Sequence, residues 1–147
     1  MKLTTKGRYG LRLMLELARH YGQGPVLVDR IAQNQALSPH YVHVLVTPLK
    51  TAGLVRSLRG PNGGYELAKP PAEITAFDII QALEGDISLV QCTDDHALCQ
   101  RAGHCVSQSL WAKIDAAVEE ILQTRTLDTL LHEQLQHEQE HPLMFHI

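Results

Sequence analysis

No run in this 147-residue sequence approaches the roughly 18 consecutive apolar residues of a membrane-spanning helix. Residues 1–7 have no apolar core, so they do not read as a secretion signal, and a cytoplasmic location is expected. There is no Walker loop, no G-x-S-x-G and no H-E-x-x-H, and residues 60–64 do not complete a G-x-G-x-x-G. A Cys–His nucleophile pair built on Cys105 is weak, because nothing else suggests a substrate pocket. The expectation is that the chain is not an enzyme. Internal repeats and low-complexity tracts are also missing. Cysteine is scarce and odd in number: Cys92, Cys99 and Cys105 are the full set. An odd count without a secretion signal argues against a disulfide scaffold and for a metal site or reactive thiols.

Acidic residues are nearly absent from one half. Residues 1–69 hold ten Lys/Arg and three Asp/Glu, a net of +7, whereas residues 70–147 hold three and thirteen, a net of −10. The overall charge of −3 hides this division. A polyanion would be drawn to the first half and repelled by the second. With 44% hydrophobic and 20% charged residues the chain is globular. Lys69-Pro70-Pro71 marks a boundary, giving expected units at 1–70 and 71–147.

The pattern is mainly helical. Residues 5–21 carry Leu11, Met14, Leu15 and Ala18 at helical spacing, widened by Leu13 and Leu17, with Thr4 or Thr5 as cap. Gly7 and Gly10 weaken its first turns, as a close neighbour would require. A short helix follows over 28–35, then a turn at Ala36-Leu37. Ser38-Pro39 opens a third helix, with serine as N-cap and proline at the first position. Val42, Leu45, Val46 and Leu49 form its inner stripe, and His40, His43, Thr47 and Lys50 its outer face. Two short helices around a tight turn are a helix-turn-helix pattern. Pro48 deletes a backbone hydrogen bond, so the helix is expected to kink near 44–47 or stop early.

Arg56-Ser57-Leu58-Arg59-Gly60-Pro61-Asn62-Gly63-Gly64-Tyr65 comes next, turn residues between short apolar arms. It reads as a hairpin with a basic tip, either a wing for a DNA groove or a surface hairpin with solvated arginines. Thr75 then caps a helix over 76–84, ended by Gly85. Residues 86–106 are irregular and contain the cysteines as C-x6-C-x5-C. Three thiolates from one loop suit an iron–sulfur cluster, while redox thiols and zinc stay open; no C-x2-4-C pair favours zinc. A long helix over 107–123 repeats Leu110, Ile114, Ala117 and Ile121, with Trp111, Val118 and Leu122 as a second apolar line. Such a helix is either a dimer interface or buried within its own domain. Thr126 caps a last helix, and the tail histidines His132, His137, His141 and His146 are too irregularly spaced to suggest a metal site.

Several of these stretches together resemble the IscR/NsrR-like winged-helix transcription regulators of bacteria. The carriers are Leu3-Thr4-Thr5-Lys6-Gly7-Arg8-Tyr9-Gly10, Ile31-Ala32, Leu37-Ser38 with Tyr41, Ala52-Gly53-Leu54-Val55, the 57–65 stretch, Ile74, Leu83-Glu84-Gly85, the three cysteines and Leu110-Trp111. The resemblance spans about residues 1–131. It implies a winged helix-turn-helix with a two-stranded β-wing and a long C-terminal dimerisation helix. It implies a homodimeric repressor or dual regulator on a palindromic operator in double-stranded DNA. Ser38, Tyr41 and Lys50 would contact DNA from the third helix, beside outward-facing His40 and His43. Arg59 would enter the minor groove, with Gly60, Asn62 and Gly63 forming the wing tip. The resemblance also implies a 2Fe-2S or 4Fe-4S cluster on Cys92, Cys99 and Cys105, sensing redox state, nitric oxide or iron and cluster supply. The fourth ligand departs from the pattern. The histidine of IscR-like members is Gln108 here, and the acidic residue of NsrR-like members is Arg8, which leaves His104 or a non-protein ligand, with Gln108 behind His104. The glutamate of IscR-like recognition helices is His43. The alternative is a cluster-free regulator controlled by thiol oxidation, a metabolite or a partner protein.

Overall fold

A computed structural model describes residues 2–101 and 103–142, apart from the side chains of residues 94 and 96. His146, in the tail, lies outside the described residues. The fold is mainly α. Helices α1 (Thr5–Arg19), α2 (Val28–Gln35) and α3 (Pro39–Thr51) precede strands β1 (Val55–Leu58) and β2 (Gly64–Leu67). Then come α4 (Ala76–Glu84), a short α5 (Gln91–Asp94), α6 (Val106–Thr124) and α7 (Leu127–Glu140). Single 3-10 turns occupy Pro71–Glu73 and His96–Leu98. No described helix is long and apolar enough to cross a membrane.

Helix starts follow their caps. Ser38 Oγ accepts from the Tyr41 amide at 3.1 Å, Thr75 forms a reciprocal capping box with Asp78, and Thr126 accepts from the Thr129 amide. The start of α1 differs. Thr4 occupies the cap position but its side chain caps nothing; Glu84 Oε1, from the end of α4, accepts from the Thr4 and Gly7 amides at 2.9 and 3.1 Å. Gly7 and Gly10 are the close approach that the sequence called for. A Cβ on Gly7 would stand 2.4 Å from Glu84 Oε1, and one on Gly10 would stand 2.1 Å from Leu83 Cδ1.

Helix α3 runs without a break from 39 to 51, so the expected early stop at Pro48 does not occur. The amide that Pro48 lacks would have faced the Val44 carbonyl, on a residue 38% exposed, where water can replace it. The Thr47 and Thr51 hydroxyls add bonds to the His43 and Thr47 carbonyls on either side. The turn from α2 to α3 places Ala36 in the left-handed region, at φ 54°.

One core gathers Leu13, Met14 and Leu17 of α1, Ile31 of α2 and the Val42, Leu45, Val46, Leu49 stripe of α3. Leu67, Ile74, Ile79, Leu83 and Leu127 join the same core. The chain after residue 70 therefore packs on the helices before it. The Leu127 amide donates to the Ile74 carbonyl at 2.7 Å, and the Ala76 amide to the Arg125 carbonyl at 2.8 Å. Arg19 forks onto Glu138 of α7 at 3.2 and 2.7 Å. Residues 86–124 are thus an excursion rooted at both ends, at α4 and at α7.

Helix α6 is not buried in its own chain, which excludes that option for the described structure. Leu110 is 51% exposed and Ile121 62%, with Trp111 and Ile114 at 37% each. Val118 and Leu122 are half-buried on a helix that lies against α4.

Candidate functional site

The two strands pair antiparallel with Ser57 opposite Tyr65 and Arg56 opposite Glu66. Opposed residues share one face of a hairpin. Arg56 Nε donates to Glu66 Oε1 at 2.6 Å on one face. Ser57 and Tyr65 occupy the other face, toward α3. There Lys50 Nζ donates to Ser57 Oγ at 3.1 Å, and His43 Nδ1 lies 2.6 Å from the Tyr65 hydroxyl. His43 and Lys50 are seven residues apart, two helical turns, so they stand on one side of α3. The helix and the hairpin are therefore joined side by side, with a groove between them lined by His43, Ser57, Arg59, Gly60 and Tyr65.

The hairpin is anchored to the body. The Val26 amide donates to the Tyr65 carbonyl at 2.8 Å, and the Tyr65 amide to the Val26 carbonyl at 3.0 Å. Gly64 makes that approach feasible, since a Cβ there would stand 2.1 Å from the Val26 oxygen. Partial burial pushes the Tyr65 phenol above its ordinary pKa. Arg59, Gly60, Pro61 and Asn62 are exposed at the tip. Asn62 borders a different pocket, with His20, Pro25 and Arg30. Gly63 is required by the turn itself, as a Cβ would stand 2.3 Å from the Leu58 carbonyl oxygen.

The other candidates on α3 divide. His40, His43 and Lys50 are exposed. Ser38 is exposed too, and its hydroxyl oxygen caps the helix. Tyr41 is half-buried, its ring edge-on to Tyr9 at 6.3 Å, and the Arg12 guanidinium lies 5.0 Å from the Tyr9 ring centre. Tyr65 and Ser57 went unsingled in the sequence, although both lie in the hairpin motif. The signal that could have found them was the pleat alternation, which puts the two on one face.

The cysteine segment is held to α6 at two places. Asp115 accepts from the Leu89 amide at 2.9 Å and the Thr93 hydroxyl at 2.8 Å. Gln108, 7% exposed, donates from Nε2 to the Cys92 carbonyl at 2.6 Å, and its Oε1 accepts from the Gly103 amide at 3.5 Å. Cys105 is the N-cap of α6, its sulfur accepting from the Gln108 amide at 3.4 Å. His104 is exposed. The three thiols are half-buried and unbridged. Among the described residues no three Cys, His, Asp or Glu side chains stand together as a metal site. Thiolates are the ligands an iron–sulfur cluster takes, and three lie on this segment. The side chain at position 108 instead staples the loop.

A mainly helical fold with a hairpin docked beside an exposed helix-turn-helix defines a winged-helix DNA-binding protein. The family model for Rrf2, described as an iron-dependent transcriptional regulator, matches residues 3–133, and the chain belongs to that family. It is 48% identical over 130 residues to the HTH-type transcriptional regulator CymR of Bacillus subtilis, covering 88% of this chain and 89% of that one. The structure of CymR, the global cysteine regulator of B. subtilis, superposes with a TM-score of 0.77 at 47% identity, covering 90% of this chain and 98% of that one. T. potens IscR superposes with a TM-score of 0.74 at 39% identity, covering 91% and 88%.

Proposed function

We propose that this chain is a cytoplasmic, homodimeric transcription regulator, not an enzyme, that represses by occupying a palindromic operator. The observation that carries the reading is the groove between α3 and the wing, on the half of the chain with net charge +7. Phosphate contacts from that half supply affinity, and side chains on α3 and the wing read sequence or shape. His40, His43 and Lys50, exposed on α3, enter the major groove in this reading. Ser38 and Tyr41 fix the start of α3 and its seat on α1. Arg59, with Gly60, Asn62 and Gly63 around it, is the minor-groove probe. Residues 1–70 carry these contacts, while residues 71–147 carry assembly and signal.

Assembly uses the open line of α6, Leu110, Ile114 and Ile121, against the same line of a second copy. The signal enters at the cysteine segment. Because Gln108 and Asp115 sew that segment to α6, a change in the segment tilts α6 and alters the separation of the two wings. Gln108 favours a cluster-free input, such as thiol oxidation, a metabolite or a partner protein. The second reading is an iron–sulfur cluster on Cys92, Cys99 and Cys105; the family's description as iron-dependent favours it.

Anisotropy titrations with labelled duplex DNA across a salt series test the binding. Affinity should fall steeply with salt, and Arg59→Ala should weaken it about tenfold. Anaerobic purification with iron and sulfide assays per chain then separates the inputs. Iron and sulfide in matching amounts would establish the cluster. Their absence, also after reconstitution, with DNA binding that responds to peroxide and not in a triple Cys→Ser variant, would establish thiol control.

A further inference from the structure

His43 on the outer face of α3 is oriented by a residue outside the helix. Its Nδ1 and the Tyr65 hydroxyl are 2.6 Å apart, and the two rings meet edge-on at 5.8 Å and 76°. Tyr65 is itself immobilised. It pairs with Ser57 on one side and exchanges two backbone hydrogen bonds with Val26 on the other. The phenol therefore reaches His43 from a rigid three-way backbone junction.

A neutral imidazole carries one ring proton, and the hydrogen bond at one nitrogen decides which nitrogen holds it. O–H donors sit about 2.5–3.0 Å from their acceptors, and N–H donors about 2.7–3.2 Å. The 2.6 Å contact accommodates a phenol O–H donated to Nδ1. A phenol is also a far better donor than acceptor. With Nδ1 accepting, the ring proton resides on Nε2. Protonating the ring leaves a proton on Nε2 as well. His43 then offers an N–H donor at its remaining nitrogen whichever charge it carries.

We propose that Tyr65 is a positioning and specificity residue: it locks His43 in the Nε2-protonated form, so that His43 selects a major-groove acceptor. This rests on the DNA-binding reading above. The matching acceptors are purine N7, guanine O6 and thymine O4; the amino groups of adenine and cytosine are donors and are rejected. The wing thereby edits what the recognition helix reads, without itself touching that base.

Tyr65→Phe keeps the ring, its edge-on packing and the backbone pairing, and removes only the hydroxyl. Two readouts are needed. In nitrogen-15 imidazole spectra, wild-type His43 should show a proton-bearing Nε2 and a bare Nδ1, whereas Y65F should populate both tautomers. The second readout uses a duplex selected by the wild type from a random library, with 7-deazapurines, 6-thioguanine or 4-thiothymine substituted one position at a time. Wild type should lose about tenfold in affinity at one base of each half-site. Y65F and H43A should lose little at that position. A wild-type spectrum with the proton on Nδ1 would overturn the proposal, and that measurement stands even if Y65F does not fold. Identical spectra and identical base-analogue profiles for wild type and Y65F would also overturn it while leaving DNA binding intact. Absence of any salt-sensitive duplex binding by the wild type would remove the DNA-binding reading and this one together.

Discussion

Glu84 joins two helices through one oxygen. Its Oε1 accepts from the Thr4 hydroxyl at 2.7 Å as well as from the Thr4 and Gly7 amides. Burial alone would push its pKa up. The hydroxyl, the two amides and the charge of Lys6 outweigh that and hold the carboxyl below its ordinary value. A carboxyl with a depressed folded-state pKa stabilises the fold above its unfolded-state pKa. That contribution is lost as pH falls through the folded-state value. Denaturant titrations should therefore show wild type losing more stability than Glu84→Gln as the pH falls from about pH 5 to about pH 3. Equal acid sensitivity would mean that the cap adds nothing. Ala36 gives a prediction of opposite sign. Its left-handed φ of 54° costs a side-chain-bearing residue about 1–2 kcal/mol, against about 0.5–1 kcal/mol of extra chain entropy for glycine. Ala36→Gly should stabilise by about 0.5 kcal/mol, seen as a higher urea midpoint with unchanged slope.

At the scale of elements, local signals and the folded chain agree wherever a cap or a stop is local. Ser38, Thr75 and Gly85 bound their helices where the sequence placed them. The cap of α1 was illegible because its acceptor comes from 80 residues away. The continuity of α3 past Pro48 was illegible because the carbonyl that loses its partner is on the solvent side, which only packing decides. The basic wing tip was legible from its glycines, proline and arginines. Its docking on α3 through Tyr65 and Ser57 was not, since it depends on the distance between two elements. Gly10 tests the docking of α1 on α4. By helix propensity Gly10→Ala should gain about 1 kcal/mol. Its Cβ would however stand within 3.3 Å of three atoms of the Leu83 side chain, which is only 5% exposed. Overpacking of this kind costs about 1–3 kcal/mol, so the net effect is a lower thermal midpoint. A raised midpoint would show that α4 yields freely.

For the whole molecule, the division into a basic half and an acidic half maps onto structure in one respect only. The core ignores it: Leu127, deep in the acidic half, is fully buried with Leu13 and Leu45 of the basic half. The surfaces keep it, with the wing and α3 on basic chain and α6 on acidic chain. The line of Leu110, Ile114 and Ile121 is apolar and open. Ile114→Glu should therefore shift sedimentation from dimer to monomer and weaken operator binding, while the far-ultraviolet spectrum of each chain stays the same. A variant that remains dimeric would place the assembly surface elsewhere.

The separation of α6 from the wing has a genetic consequence. A chain with a ruined wing and an intact α6 still folds its core and still presents the open apolar line. Co-expressed with wild type, it would pair into mixed dimers that hold only one competent reading head. Wing alleles should then be dominant over the normal gene, and alleles in α6 recessive.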